Sequence, residues 1–229
     1  MTTASTPHQL ALEGFEALPP PPREPARTDS VFFAVFPPPA VATRAAALAL
    51  DLQSTLGLGG RPIKRSRLHV TLHPVGAYAG VPETVLAAAT AAASTLVHAP
   101  FEVAFDHVLS FGGSRRRPLV LGGRDGVAAL AAFQKQLGAA LKAAGLGGFV
   151  GHTFTPHMTL LHDEQTVDER GVEVIRWRVA EFVLVHSRAG QMVPVVLGRW
   201  PLRGPGATLG PGEAGHSASA GPAVRAADA

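Results

Sequence analysis

Two short runs in this sequence carry the same residue types in the same order: Leu68-His69-Val70-Thr71-Leu72 and Pro156-His157-Met158-Thr159-Leu160. In each, an imidazole and a hydroxyl stand two positions apart, with an apolar residue between them and a leucine after. Two positions is the repeat of a β-strand. His and Thr are therefore predicted to share one face, roughly 6.5–7 Å apart, while Val70, Leu72, Met158 and Leu160 turn to the other face and pack. Two imidazoles facing each other across a cleft can divide a proton transfer, one taking a proton from an attacking oxygen and the other giving one to the leaving oxygen. A free imidazole titrates near pH ~6.5, which suits both roles at neutral pH. The two threonine hydroxyls can donate to the non-bridging oxygens of a phosphate. Together they describe a phosphodiester site that needs no metal. A single His-x-Thr on a strand is commonplace. Two copies, both in apolar strands and both followed by Leu, are harder to dismiss, because a buried unpaired imidazole is costly.

Other polar groups cluster near these runs. Arg61, Lys64, Arg65 and Arg67 precede the first. If that segment is a strand, Arg65 and Arg67 share the face of His69 and line an entry for an RNA backbone; if it is a loop, they are solvated surface. His73 shares that face too if the strand continues, and so reaches the ligand; the alternative is a strand-end histidine beside Pro74. Arg115-Arg116-Arg117 on a turn is a candidate second phosphate contact. Phe154, or less favourably Tyr78, is placed to stack a terminal base. A metal site would have to pair His69 with His73 and His157 with His162, and only Asp163 is a nearby carboxylate, so no common ligand set is completed. Gly122-Gly123 and Gly147-Gly148 lack the Lys-Ser/Thr ending of a phosphate-binding loop, and no serine sits in a nucleophile elbow.

The elements that must hold these residues alternate between strand and helix. Val31–Phe36 is a β-prone run stopped by Pro37-Pro38-Pro39. Residues 40–57 read as a helix, then 68–73 as a strand closed by Pro74. Residues 82–97 form a second Ala-rich helix with Pro82 near its first turn, and Phe101–Phe105 alternates as a strand. A short strand follows at 119–122. Residues 126–144 form the clearest amphipathic helix, with Val127, Leu130, Phe133, Leu137 and Leu141 at three- and four-residue steps. Strands are expected at 157–161, 172–187 and 192–202, the last two an antiparallel pair joined near Ala189-Gly190. The fold class is α+β, with about seven strands and three helices in two similar halves.

The ends differ from this middle. Residues 1–29 contain Pro19-Pro20-Pro21-Pro22 and read as a flexible arm; residues 204–229 are rich in Gly, Ala, Ser and Pro and read as a disordered tail. The folded domain is expected at 30–203. The chain's 229 residues carry a net charge of +3, but the middle holds 17 of the 20 basic and 11 of the 17 acidic residues, a net of +6 between mildly acidic ends. A basic domain favours an anionic ligand. Cysteine is absent, which excludes thiol catalysis, a disulfide scaffold and Cys-ligated metal. No secretory signal and no span of 18 strongly apolar residues is visible, so a cytoplasmic protein without membrane contact is expected, and a monomer.

The two motifs, 88 residues apart, resemble those of the two-histidine (2H) phosphoesterases, and within them the bacterial RNA 2′,3′-cyclic phosphodiesterases long described as 2′-5′ RNA ligases. The resemblance runs over residues 31–202. It includes the opening strand Val31–Val35, Phe154-Thr155-Pro156 before the second histidine, Val185-His186-Ser187 and the closing Trp200-Pro201-Leu202. It implies a bilobal, pseudo-two-fold fold with the motifs facing across a central cleft, no cofactor, and hydrolysis of a terminal 2′,3′-cyclic phosphate to a 2′-phosphate. It further implies His69 as proton donor to the leaving 3′ oxygen, His157 as the base that activates water, and Thr71 and Thr159 as holders of the phosphate oxygens; near-symmetry leaves the reverse assignment of acid and base equally open. Many relatives carry an arginine where this chain has His162, so a phosphate-binding guanidinium is replaced by a pH-dependent donor. The partner is expected to be an RNA 3′ end or a small nucleotide with a cyclic phosphate. The competing readings are a cyclic phosphodiesterase of small nucleotides, a non-catalytic RNA- or nucleotide-binding protein and, least favoured, a metalloprotein.

Overall fold

The computed structural model describes residues 26, 28–113, 115–150, 153–191 and 194–204. The Pro-rich arm, apart from residues 26, 28 and 29, and all but the first residue of the C-terminal tail lie outside these. Asp29, expected in the arm, is instead the buried first residue of a strand.

Eight strands and three α-helices follow in the order β1 (Asp29–Val35), α1 (Pro39–Thr55), β2 (Val70–Tyr78), α2 (Glu83–Ser94), β3 (Phe101–Ser110), β4 (Arg117–Gly122), α3 (Ala128–Ala143), β5 (His157–Asp163), β6 (Arg170–Val179), β7 (Glu181–Arg188) and β8 (Val195–Pro201). They form two four-stranded antiparallel sheets, ordered β2-β1-β7-β8 and β5-β4-β3-β6. Each sheet has a His-x-Thr strand at one edge, next to a strand joined to it through a helix: β1–α1–β2 in the first, β4–α3–β5 in the second. That correspondence is the pseudo-two-fold relation. The run 172–187, expected as one strand, breaks at Ala180; β6 joins the second sheet and β7 the first. The hydrophobic pattern is continuous across the break because both strands bury residues in the same core.

Local chemistry explains the helices. Proline occupies the first turn of α1, where a missing N–H costs nothing. Ala42, Ala45, Ala49 and Leu52 then recur at helical spacing and are buried. Small side chains let α1 lie close on β5 and β6 of the opposite sheet. In α3, Leu130, Phe133, Leu137 and Leu141 form the buried stripe. Gly145, in the left-handed region at φ 81°, ends it: Leu146 N–H donates to the Leu141 carbonyl at 2.9 Å, a Schellman closure. One core links the sheets and helices, with the Phe33, Phe133 and Trp200 rings packed around Phe182. No helix among the described residues is long and apolar enough to cross a membrane.

β2 does not stop at Pro74 but runs on to Tyr78. As an edge strand it has no second partner for proline to deny a hydrogen bond. Between Thr71 and His73 its register against β1 slips by one, leaving Leu72 as the extra residue of a bulge. β5 does the same against β4: Val120 pairs with Thr159 and Leu119 with Leu161, leaving Leu160 extra. The leucine after each threonine is thus the bulged residue in both sheets.

Candidate active site

The free edge of β5 is covered by the segment that leads into β2. Ile63 N–H, just before the first motif, donates to the Leu160 carbonyl at 2.7 Å, and Pro62 bridges Leu161. Gly60 N–H donates to Asp163 Oδ2 at 2.6 Å. A side chain at Gly60 would start 2.1 Å from the His162 carbonyl oxygen, so only glycine lets this loop lie against β5. Asp163 also accepts from Gln165 N–H at 2.8 Å. That amide and those of the 59–60 loop hold its carboxyl below the usual carboxylate range. The seam fixes the two motifs side by side.

Between the sheets lies a cleft of about 650 Å³ lined by His69, Thr71, His157 and Thr159 from the motifs, and by Arg67 and His162. His69 Nδ1 lies 2.7 Å from the Arg67 carbonyl oxygen, and His157 Nδ1 lies 2.7 Å from that of Thr155. A carbonyl can only accept, so in both rings Nδ1 carries the proton and donates it. Nε2 of each ring is left for a ligand. The carbonyl two residues before each histidine therefore sets its tautomer, twice, by the same device.

The two rings differ in their surroundings. His69 stacks on Phe32 (centroids 5.2 Å) and packs against Phe36 (5.6 Å). Burial pushes its pKa below that of a free imidazole; the neighbouring charges of Arg67 and His157 push the same way, and the Arg67 carbonyl opposes them. His157 packs against Phe111 at 4.8 Å in a T-shaped contact, and its hydrogen bond to Thr155 is exposed where that of His69 to Arg67 is part-buried. Phe32, Phe36 and Phe111 were not anticipated as site residues. Their contacts run across strands and between loops, and only the β-prone character of Phe32 and Phe36 is visible locally.

The remaining candidates divide. Arg67 and His162 line the cleft. Arg65 does not: residues Arg65–Arg67 form a 3-10 turn rather than a strand, and Arg65 turns to Thr43 Oγ1 on α1 at 3.2 Å. His73 also leaves the cleft. The bulge at Leu72 turns it to the core side of β2, where it is buried and its Nε2–H donates to the Gln134 carbonyl of α3 at 2.8 Å. His69 and His73 thus face opposite sides of β2 and cannot hold one ion together. The matching bulge acts in the same way on β5, turning Leu161 to the core and bringing His162 into the cleft, with Pro74 in the corresponding place on β2. Phe154 stands in a depression beside the cleft that shares Thr71, Pro74 and His157 with it. Tyr78 is committed to the Val75 carbonyl at 2.8 Å, and Arg115 and Arg117 bond to Glu164.

Two antiparallel sheets that each lend an edge-strand His-x-Thr pair to one cleft define a two-histidine phosphoesterase. The chain belongs to the 2′-5′ RNA ligase superfamily, whose family model matches residues 37–191. The fold is shared with the apo crystal structure of E. coli LigT, at 24% identity over 78% of this chain and 99% of that one, with a TM-score of 0.62. It is shared equally with TT0787 of Thermus thermophilus, at 24% identity, 77% and 99% coverage and a TM-score of 0.64. E. coli LigT has also been crystallised with 3′-AMP; that structure matches at 23% identity, 77% and 99% coverage and a TM-score of 0.57. No curated protein matches the chain by sequence.

Proposed function

We propose that this protein hydrolyses the 2′,3′-cyclic phosphate at an RNA end to a 2′-phosphate. The observation that carries the reading is the paired tautomer lock: two imidazoles from opposite lobes, each fixed through Nδ1, with Nε2 left for a ligand in one cleft. Water attacks phosphorus as its proton passes to His157 Nε2. The P–O3′ bond breaks as His69 Nε2–H protonates the departing oxygen, leaving a 3′-hydroxyl and a 2′-phosphate. Thr71 and Thr159 hydroxyls donate to the non-bridging oxygens, where negative charge accumulates. Arg67 contributes a fixed positive charge beside them. The same steps with a 5′-hydroxyl in place of water join two ends by a 2′-5′ linkage; in water, hydrolysis prevails. The 3′-AMP complex of the structurally similar E. coli LigT is consistent with a site for a ribose phosphate.

The test is turnover of a short RNA ending in 2′,3′-cyclic phosphate, in excess chelator, with the position of the product phosphate assigned. The wild type is expected to give the 2′-phosphate. His69→Ala and His157→Ala are each expected to lose about 10²–10⁴-fold in kcat. A folded wild type without turnover, or turnover indifferent to both substitutions, overturns the reading.

A further inference from the structure

The bulge that turns His73 out of the cleft also opens a second cavity on the other side of β2. It holds about 460 Å³ between β2, α3 and the segment before β5, lined among others by His73, Gln134, Lys135, Gly138, Lys142 and Phe154. A side chain at Gly138 would start 2.9 Å from His73 Nε2, so the cavity wall depends on that glycine. The depression containing Phe111, Thr153 and Phe154 connects it to the active site: it shares His73 and Phe154 with the cavity, and Thr71 and His157 with the cleft. The path runs round the free edge of β2.

The charge along this path is of one sign. The chain has only three lysines, and two of them, Lys135 and Lys142, stand here. They are seven residues apart on α3, two turns along the same face. Both side chains are exposed, and neither makes a hydrogen bond or ion pair among the described residues. Among the described residues, no carboxylate lines the cavity or the depression. His73 adds no charge: burial lowers its pKa, and Lys142 pushes the same way. Two unpaired ammonium groups at the end of a path lined by two half-buried phenyl rings, Phe111 and Phe154, suit a single-stranded nucleic acid, whose phosphates take the charges and whose bases meet the rings.

Building on the phosphodiesterase reading above, we infer that the strand 5′ of the cyclic phosphate leaves the cleft round the edge of β2, passes Phe111 and Phe154, and sets its backbone phosphates on Lys135 and Lys142. The substrate is then an oligoribonucleotide end and not a free nucleotide.

The test compares kcat/KM for cytidine 2′,3′-cyclic phosphate with that for a tetranucleotide ending in the same group. The wild type is expected to favour the tetranucleotide. In the Lys135→Ala/Lys142→Ala double variant the ratio is expected to fall to about one, and Lys→Arg at both positions is expected to restore it. The slope of log(kcat/KM) against log[salt] for the tetranucleotide is expected to shrink by about 0.7 for each lysine removed. Equal use of the two substrates by the wild type, or a ratio and salt slope unmoved in the double variant, overturns the inference and leaves the phosphodiesterase reading standing. Anisotropy binding of the tetranucleotide 2′-phosphate gives a readout independent of turnover. Lysine-dependent binding by a protein that hydrolyses neither substrate supports the path and overturns the hydrolase reading. Lysine-independent binding overturns the path.

Discussion

At the scale of single residues the two histidines are chemically alike and environmentally unlike. Both have Nδ1 committed to a carbonyl, but Phe32 and Phe36 shut water away from His69. The working pair needs one proton between its two rings. As pH falls, a second proton must enter and charge both rings at once, and the burial of His69 makes the pair resist that doubly charged state. The acid limb of kcat/KM is therefore expected below the ordinary imidazole value of 6.5. Phe36→Ala admits water to the ring and is expected to move that limb up towards 6.5, read from a pH–rate profile on the cyclic phosphate. A limb that stays put would show that the phenyl ring does not set the titration. His162 is the other point of difference. An imidazole lines the cleft there, with fewer hydrogen-bond donors than a guanidinium would bring.

At the scale of elements, the repeated His-x-Thr-Leu was legible because it lies within four consecutive residues. So were the α+β class and the three helices, each marked by proline, alanine or a leucine stripe. What the bulges did was not legible. A bulge is a property of pairing, set by how β2 meets β1 and β5 meets β4, and nothing in Leu72 or Leu160 alone marks it. Simple alternation therefore kept His73 in the cleft. For Arg65 the strand pattern gave way to a 3-10 turn. Asp29 illustrates the same limit at an element's end. Sequence placed it in the arm, yet its carboxylate ties β1 to β7, accepting from His186 Nε2 at 2.6 Å and Arg188 Nε at 3.0 Å, and reaches towards β2 through Gly80 N–H at 3.3 Å. Arg188, then His186, holds its pKa far below the usual carboxylate range. A depressed acid stabilises the fold while ionised in both states, and that contribution drains away as pH falls below the unfolded value of about 3.9. Asp29→Asn is accordingly expected to lower the melting temperature at neutral pH, with the gap to wild type narrowing progressively as pH falls below about 4. A gap that persists into acid would assign the loss to packing instead of charge.

At the scale of the molecule, the second sheet is assembled from one continuous stretch, β3 to β6, inserted between the two halves of the first. Helices cross the divide: α1, which follows a strand of the first sheet, packs on β5 and β6 of the second, while α3, which follows a strand of the second, reaches β2. The lobes are therefore not independent pieces, and a chain cut after Ala180 keeps both His-x-Thr motifs but strips β7 from beside β1, and β8 with it. It also removes Phe182 and Trp200 from the core. Such a truncation is expected to lose cooperative melting and all turnover; activity surviving the cut would show that the outer strands are dispensable to the site.

The insertion also sets an order of events at the ribosome. The sheet bearing His157 has all its strands once residue 179 has emerged, whereas the sheet bearing His69 waits for strands that end at Pro201. One histidine is thus housed early and the other last. Interrupted synthesis releases fragments that hold both imidazoles but not the scaffold that pairs them.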